Sequence, residues 1–339
     1  MSEKIQLKTT VHLGVVPTHL RFVGCLVPDA EGRFPRDPDG TLRLVSGMRE
    51  LVGSSPVRLD SVQIPIFPGG SEDDLSEAID GLRALGLEIY FIMMVGGANP
   101  MNPADEDTVV AQLVPSFRAA VKHGVRHVSS TSIEEWMSAG ETTRDGEAFE
   151  AAIRQNVKLH LRVYQEAGLE GSCVQNWHME FLRPGEFKTF TNLERGWAFV
   201  SAANKALGKP FFRQLVDASH CGDSGFPIER NAELISRIAA AGELGIFHAS
   251  SKTTRGCHST DDGWIGALLT AMAATGRLEH VFVEMFDHAD DALQPLREME
   301  PGFGVDTRDG RSYNGVVADG LANVARRLNN LRARGILKS

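Results

Sequence analysis

The chain has 339 residues, 42% apolar and 23% charged, and a net charge of −9. This is the balance of a globular protein with a large core, and the negative charge argues against a nucleic-acid partner held by bulk electrostatics. The longest apolar runs fall well short of the roughly 18 residues that a membrane helix needs. The four cysteines (Cys25, Cys173, Cys221, Cys257) lack CxxC spacing, so a reducing, cytoplasmic setting is expected.

Taken in chain order, short β-rich runs alternate with longer helical patterns. The runs are VHLGVV (11–16), LDSVQIPIF (59–67), LEIYFIMMV (87–95), VRHVSS (125–130), SCVQNWHMEF (172–181), FFRQLVD (211–217), LGIFHAS (244–250) and HVFVEMF (280–286). Most are continuously apolar, as strands covered on both faces must be. Between them, the spacing predicts helices over 71–86, 105–124, 144–168, 193–208, 228–245 and 261–276, several opening on acids or an N-cap serine and closing on glycine.

Eight such repeats close naturally into a (β/α)8 barrel, the TIM barrel, here a single domain over 1–339. An open doubly wound sheet is disfavoured because HLGVVPTH carries no GxGxxG after the first strand. The stretch 21–56 is too long for a simple connection. It reads as a rim insertion after strand one, with a hairpin around Asp39-Gly40 inside GRFPRDPDGTLRLVS. Residues 300–339 read as a C-terminal helical extension, packed outside the barrel or against a partner subunit.

Function in such barrels gathers at the carboxyl ends of the strands. The fifth run ends HMEF, with His178 and Glu180; the sixth ends VDASH, with Asp217 and His220. The seventh ends FHAS, with His248, and the eighth VEMF, with Glu284. Three carboxylates converging without a cation would repel one another or take up protons, whereas a divalent ion makes the set favourable. One imidazole and three carboxylates suit Mn²⁺, Mg²⁺ or Co²⁺. Glu180, Asp217, His248 and Glu284 are therefore the expected metal ligands. His178 faces the same side of its strand as Glu180 and is either an acid/base or a packed residue. The loop MMVGGANPMNP (93–103) either walls the pocket or merely turns the chain.

These residues resemble the sugar isomerase/epimerase barrels related to xylose isomerase and endonuclease IV, most closely the ketose 3-epimerases of the tagatose and psicose type. That family holds its metal with Glu, Asp, His and Glu from strands five to eight. DASH resembles its Asp-x-x-His, which would make His220 a substrate-binding residue. HASSKTTRG followed by STDDGW resembles its His-to-Arg loop and would give Arg255 the same role. The likeness is good over roughly 170–290 and only architectural before that. It implies a cytoplasmic enzyme for a small carbohydrate, dependent on a divalent ion (Mn²⁺ first), with Glu180 and Glu284 exchanging a proton on opposite faces of a keto-sugar. Barrels of this kind commonly form homo-oligomers. The longer loop after Glu180, FLRPGEFKTFTNLE, departs from the family pattern and leaves room for a larger substrate. The alternative is a lyase, dehydratase or C-glycoside deglycosidase that eliminates from a 3-keto-glycoside with His178 as base, in the last case within a hetero-subunit assembly. A nuclease with extra zinc ligands at His258 and His288 is disfavoured by the net charge, and a non-catalytic sugar-binding subunit with a relic metal site is the bland alternative.

Overall fold

Residues 4–251, 262–305, 310 and 312–337 are described in a computed structural model of the chain. All eight β-rich runs form strands: β1 (His12–Val16), β2 (Ser61–Ile66), β3 (Glu88–Met93), β4 (His127–Ser130), β5 (Asn176–Met179), β6 (Phe212–Asp217), β7 (Leu244–Ala249) and β8 (His280–Glu284). They are parallel, ordered as in the sequence, and closed into a barrel, with β8 returning to β1 in a register running from His12 opposite His280 to Val16 opposite Glu284. At that seam Gly14 is required by a close approach. A Cβ there would lie 2.4 Å from Ser61 Oγ and 2.7 Å from the Phe282 ring.

The described helices are α1 (Arg43–Ser54), α2 (Glu72–Ala84), α3 (Glu106–Lys122), α4 (Gly146–Glu166), α5 (Leu193–Leu207), α6 (Ala218–Asp223), α7 (Ile228–Ala240), α8 (Trp264–Ala274), α9 (Gln294–Met299) and α10 (Tyr313–Ala333), with the short α6 and α9 lying outside the eight-helix ring. Their boundaries follow local chemistry. In α2, Ser71 Oγ accepts the Asp74 amide and three acids fill the first turn, against the positive end of the helix dipole. In α5, Asn192 accepts the Arg195 amide and Gly208 closes the helix at φ +79°. Trp177 on β5 anchors the layer between barrel and ring. It is fully buried against Phe117, His160 and Phe212, and its indole N–H donates to Ser130 Oγ at 2.8 Å. None of the described helices is long and apolar enough to cross a membrane.

One segment differs in part from the expectation. The stretch 21–56 is not all rim: its hairpin shrinks to one antiparallel bridge, Arg36 to Leu42, and Arg43 then starts α1, the first helix of the ring. The helix escapes a propensity reading because Gly47 and Gly53 interrupt it. Gly47 is needed for packing, since a Cβ there would sit 2.8 Å from Leu20. The C-terminal segment forms α10, a helix packed outside the barrel as expected. It buries Val317, Leu321, Val324, Ala325 and Leu328 against the barrel and neighbours α1 and α8, which makes it the eighth ring helix.

Candidate metal centre and active site

Glu180, Asp217, His248 and Glu284 meet. One ligand atom from each lies within 4.8 Å of all the others, and all four side chains are buried. The strand geometry puts them there. β5 stops at Met179, and Glu180 follows with its amide donating to the Ser130 carbonyl. Asp217 is both the last residue of β6 and the N-cap of α6, its Oδ1 accepting the His220 amide at 2.7 Å. A register shift between β6 and β7 near Gln214 brings Asp217 opposite His248. Glu284 ends β8.

His248 is the hub. Its Nδ1 lies 3.5 Å from Glu284, 3.6 Å from Glu180 and 3.9 Å from Asp217. Its other nitrogen, Nε2, lies 2.8 Å from the Gln63 amide oxygen, while the Gln63 amide nitrogen donates to Ser129 Oγ. An amide oxygen only accepts, so Nε2 carries the proton and the lone pair of the neutral ring points from Nδ1 at the three carboxylates. Burial opposes a charge on this imidazole, but Glu284 and Glu180 outweigh it and lift His248 to about 10. Nδ1 is buried and makes no hydrogen bond. An unsatisfied buried nitrogen facing three carboxylates is a donor set of one imidazole and oxygens, which fits a hard divalent cation.

The cluster forms the floor of a cavity of about 610 Å³, which Glu180, Glu284 and His220 line. Phe22, Phe67, Met94, Trp136, Phe286 and Leu296 supply apolar walls. Within the loop after β3, Met94, Val95 and Gly96 do line the cavity, while Met93 and Met101 are core residues. His220 is buried, and its Nδ1 accepts the Arg183 amide at 3.1 Å, so its Nε2 proton faces Glu180 at 3.6 Å.

His178 is not brought to this cavity. It is fully buried one layer deeper in the barrel, beside His127 at the mouth where the strands begin. It faces the same side as Glu180, as alternation requires, but two residues of strand carry it about 6.6 Å down the axis. Arg255, Cys257 and His258 lie outside the described residues. His288 Nδ1 donates to the Phe303 carbonyl at 2.6 Å, and His288 is not part of the cluster.

Three cavity-side residues had no assigned role in the sequence. Trp136 and Glu186 line the cavity, and the indole N–H donates to Glu186 Oε1 at 3.2 Å. Arg183, buried, pairs with Glu186 at 2.8 Å and with Glu300 at 2.5 Å, and stacks over Phe303. The available signal was the spacing of Arg183 and Glu186 directly after Glu180. The loop bearing them is pinned by Glu134, whose carboxylate accepts the amides of Lys188, Thr189 and Phe190.

No family model matches the chain, and no curated protein matches it. Solved structures do. D-psicose 3-epimerase from Clostridium cellulolyticum H10, with D-tagatose, is 14% identical, with 94% of this chain and 99% of that one covered at a TM-score of 0.67. An L-ribulose 3-epimerase is 14% identical over 96% and 97% at 0.69. The 3-keto-D-glucoside 4-epimerase YcjR of E. coli, in its apo form, is 14% identical over 85% and 97% at 0.57. The ketose 3-epimerases that the sequence resembles are thus among its structural neighbours, and the chain has the (β/α)8 fold of the sugar isomerase/epimerase barrels.

Proposed function

We propose that the protein is a divalent-metal-dependent isomerase or epimerase of a keto-sugar, acting by proton abstraction next to the carbonyl and return of a proton to the enediolate. The observation that carries this reading is the pairing of Glu180 and Glu284: both reach one cavity, from strands on different sides of the barrel, with the His248 nitrogen 3.6 and 3.5 Å away.

Glu180, Asp217, His248 and Glu284 would hold the ion, Mn²⁺ first and Mg²⁺ or Co²⁺ as alternatives. When bound, it supplies Lewis-acid stabilisation of the negative charge that develops on the sugar oxygens. The remaining work falls to the chain. One glutamate takes the proton from one face of the sugar carbon and the other returns it on the opposite face, which inverts the centre. His220 directs its Nε2 proton into the cavity from beside Glu180 and would hold a substrate oxygen. Arg255 is proposed as a second substrate-binding group on the resemblance alone. The apolar walls exclude water from the enediolate.

Incubation with candidate ketoses and 3-keto-glycosides in D₂O tests the proposal. Deuterium at the epimerised carbon supports it; turnover without incorporation rules the mechanism out for that substrate. The elimination alternative loses the base it invoked, because His178 lies away from Glu180 and Glu284 at the other mouth.

A further inference from the structure

The opposite mouth of the barrel holds a second cavity, of about 310 Å³, lined where the strands begin by His127, His178, Arg213, Arg277, Glu279 and His280. His178 and His127 are each more than nine-tenths buried, yet His178 Nε2 and His127 Nδ1 have no hydrogen-bond partner. The Ile246 amide points at His178 Nδ1 from 3.4 Å, which leaves the proton on Nε2 as an unused donor. His280 is oriented by Tyr90, whose hydroxyl lies 2.8 Å from its Nδ1.

Arg213 stands at the rim of this cavity. Its Nε donates to Asn176 Oδ1 at 2.9 Å, and it forms no ion pair among the described residues. It is half-buried, and burial lowers its hold on its proton; Arg277 adds repulsion while Glu279 and Glu243 oppose it. Glu279 lines the same cavity and attracts Arg213 from a distance, but its side chain is 76% exposed and its ion-pair contact is with His280, at 3.7 Å. Glu243 is engaged by Trp197 and Asn204. Two guanidinium groups thus line a cavity together with His127 and His178, whose unpartnered ring nitrogens are buried beneath its surface. Room for the arrangement comes from Gly245, where a Cβ would lie 2.6 Å from His178 Nδ1.

A buried unused donor carries a desolvation cost, and a half-buried guanidinium with no carboxylate in ion-pair contact carries a larger one. An oxyanion in the cavity removes the second and adds a favourable field for the first. A chelated transition metal does not fit as well: the metal-competent groups among the described residues comprise only the Glu180 cluster, and a second cation would sit against Arg213. We propose that this mouth is a binding site for a small oxyanion of the phosphate class, held by Arg213 and Arg277 with His178 and His127 beneath, separate from the cavity in which Glu180 and Glu284 lie.

The test is titration of inorganic phosphate into the full chain, followed by calorimetry and by thermal melting, with chloride matching the ionic strength. Saturable binding and a rise in Tm are expected. Arg213→Gln should weaken phosphate binding at least about tenfold, and Arg213→Lys should retain part of it. Arg213 is only partly buried, so both variants are expected to fold, which far-ultraviolet circular dichroism checks. Sulfate and citrate in the same assay separate a general oxyanion site from a phosphate-selective one, and either result supports it. An absence of saturable binding, equal binding by wild type and Arg213→Gln, or binding of Zn²⁺ in place of phosphate would overturn the proposal.

Discussion

Gln63 and His248 meet across the interior of the barrel, Oε1 to Nε2 at 2.8 Å, from strands β2 and β7. The amide fixes which imidazole nitrogen carries the proton and so presents the other one to Glu180, Asp217 and Glu284. Gln63→Met, similar in volume, should keep the fold but lower divalent-ion affinity by about 10- to 100-fold. Competition against a chromophoric chelator measures it. Unchanged affinity would mean that Gln63 is only packing.

Metal uptake should release a proton. His248 in the metal-free protein is raised to about 10, so it is charged at neutral pH, and a ligand needs its lone pair. The sign for stability follows: a raised folded value stabilises the metal-free fold fully below about 6.5, and this contribution is lost as pH rises toward 10. Ion affinity should therefore climb with pH across that window. Calorimetry in buffers of differing ionisation enthalpy should count about one proton.

Acid should destabilise the fold through its buried neutral histidines, His19, His127, His178, His280 and His160, and His160 isolates the effect. His160 is fully buried, its Nδ1 donating to the Asn156 carbonyl at 2.8 Å and its Nε2 3.0 Å from Ser132 Oγ. Burial, only partly offset by that carbonyl, lowers it to about 4. The unfolded chain then binds the proton first, so stability is complete above about 6.5 and declines as pH falls toward 4, by roughly 3 kcal/mol for this one group. His160→Gln should flatten that part of the denaturation profile measured by urea titration.

If Glu180 and Glu284 work on opposite faces, their variants should fail differently. Glu180→Gln and Glu284→Gln are each expected to lower kcat by about 10²- to 10⁴-fold. Each should also keep solvent exchange from one epimer while losing it from the other. Nuclear magnetic resonance of each epimer incubated in D₂O reads this directly, and loss of both exchanges in both variants would point to a single base.

The barrel seam should tolerate no side chain at Gly14. Gly14→Val places carbon atoms where Ser61 and Phe282 already sit, and should cost about 1–3 kcal/mol. A lowered urea midpoint at unchanged slope would show it.

The strands were legible because a parallel barrel covers them on both faces, and runs such as those at 59–67 and 280–286 have no polar face to confuse the pattern. The four cluster residues were legible for the converse reason: Asp217 and Glu284 are carboxylates terminating otherwise apolar runs. Depth was not legible. His178 and Glu180 share a face, and alternation does not say which layer of the barrel a residue occupies. Nor were Trp136, Glu186 and Arg183, whose meeting depends on a loop pinned by Glu134 from another part of the chain. Helix α1 was hidden by Gly47, a residue chosen for its contact with Leu20 against its own propensity.

Closure through the β1–β8 register has a consequence for how the molecule is made. Until β8 arrives, β1 and β7 each present a bare row of amides and carbonyls, the same template by which strands recruit one another between molecules. Partly assembled chains should therefore compete between sealing the ring and pairing with neighbours, and the yield on dilution from denaturant should fall as protein concentration rises.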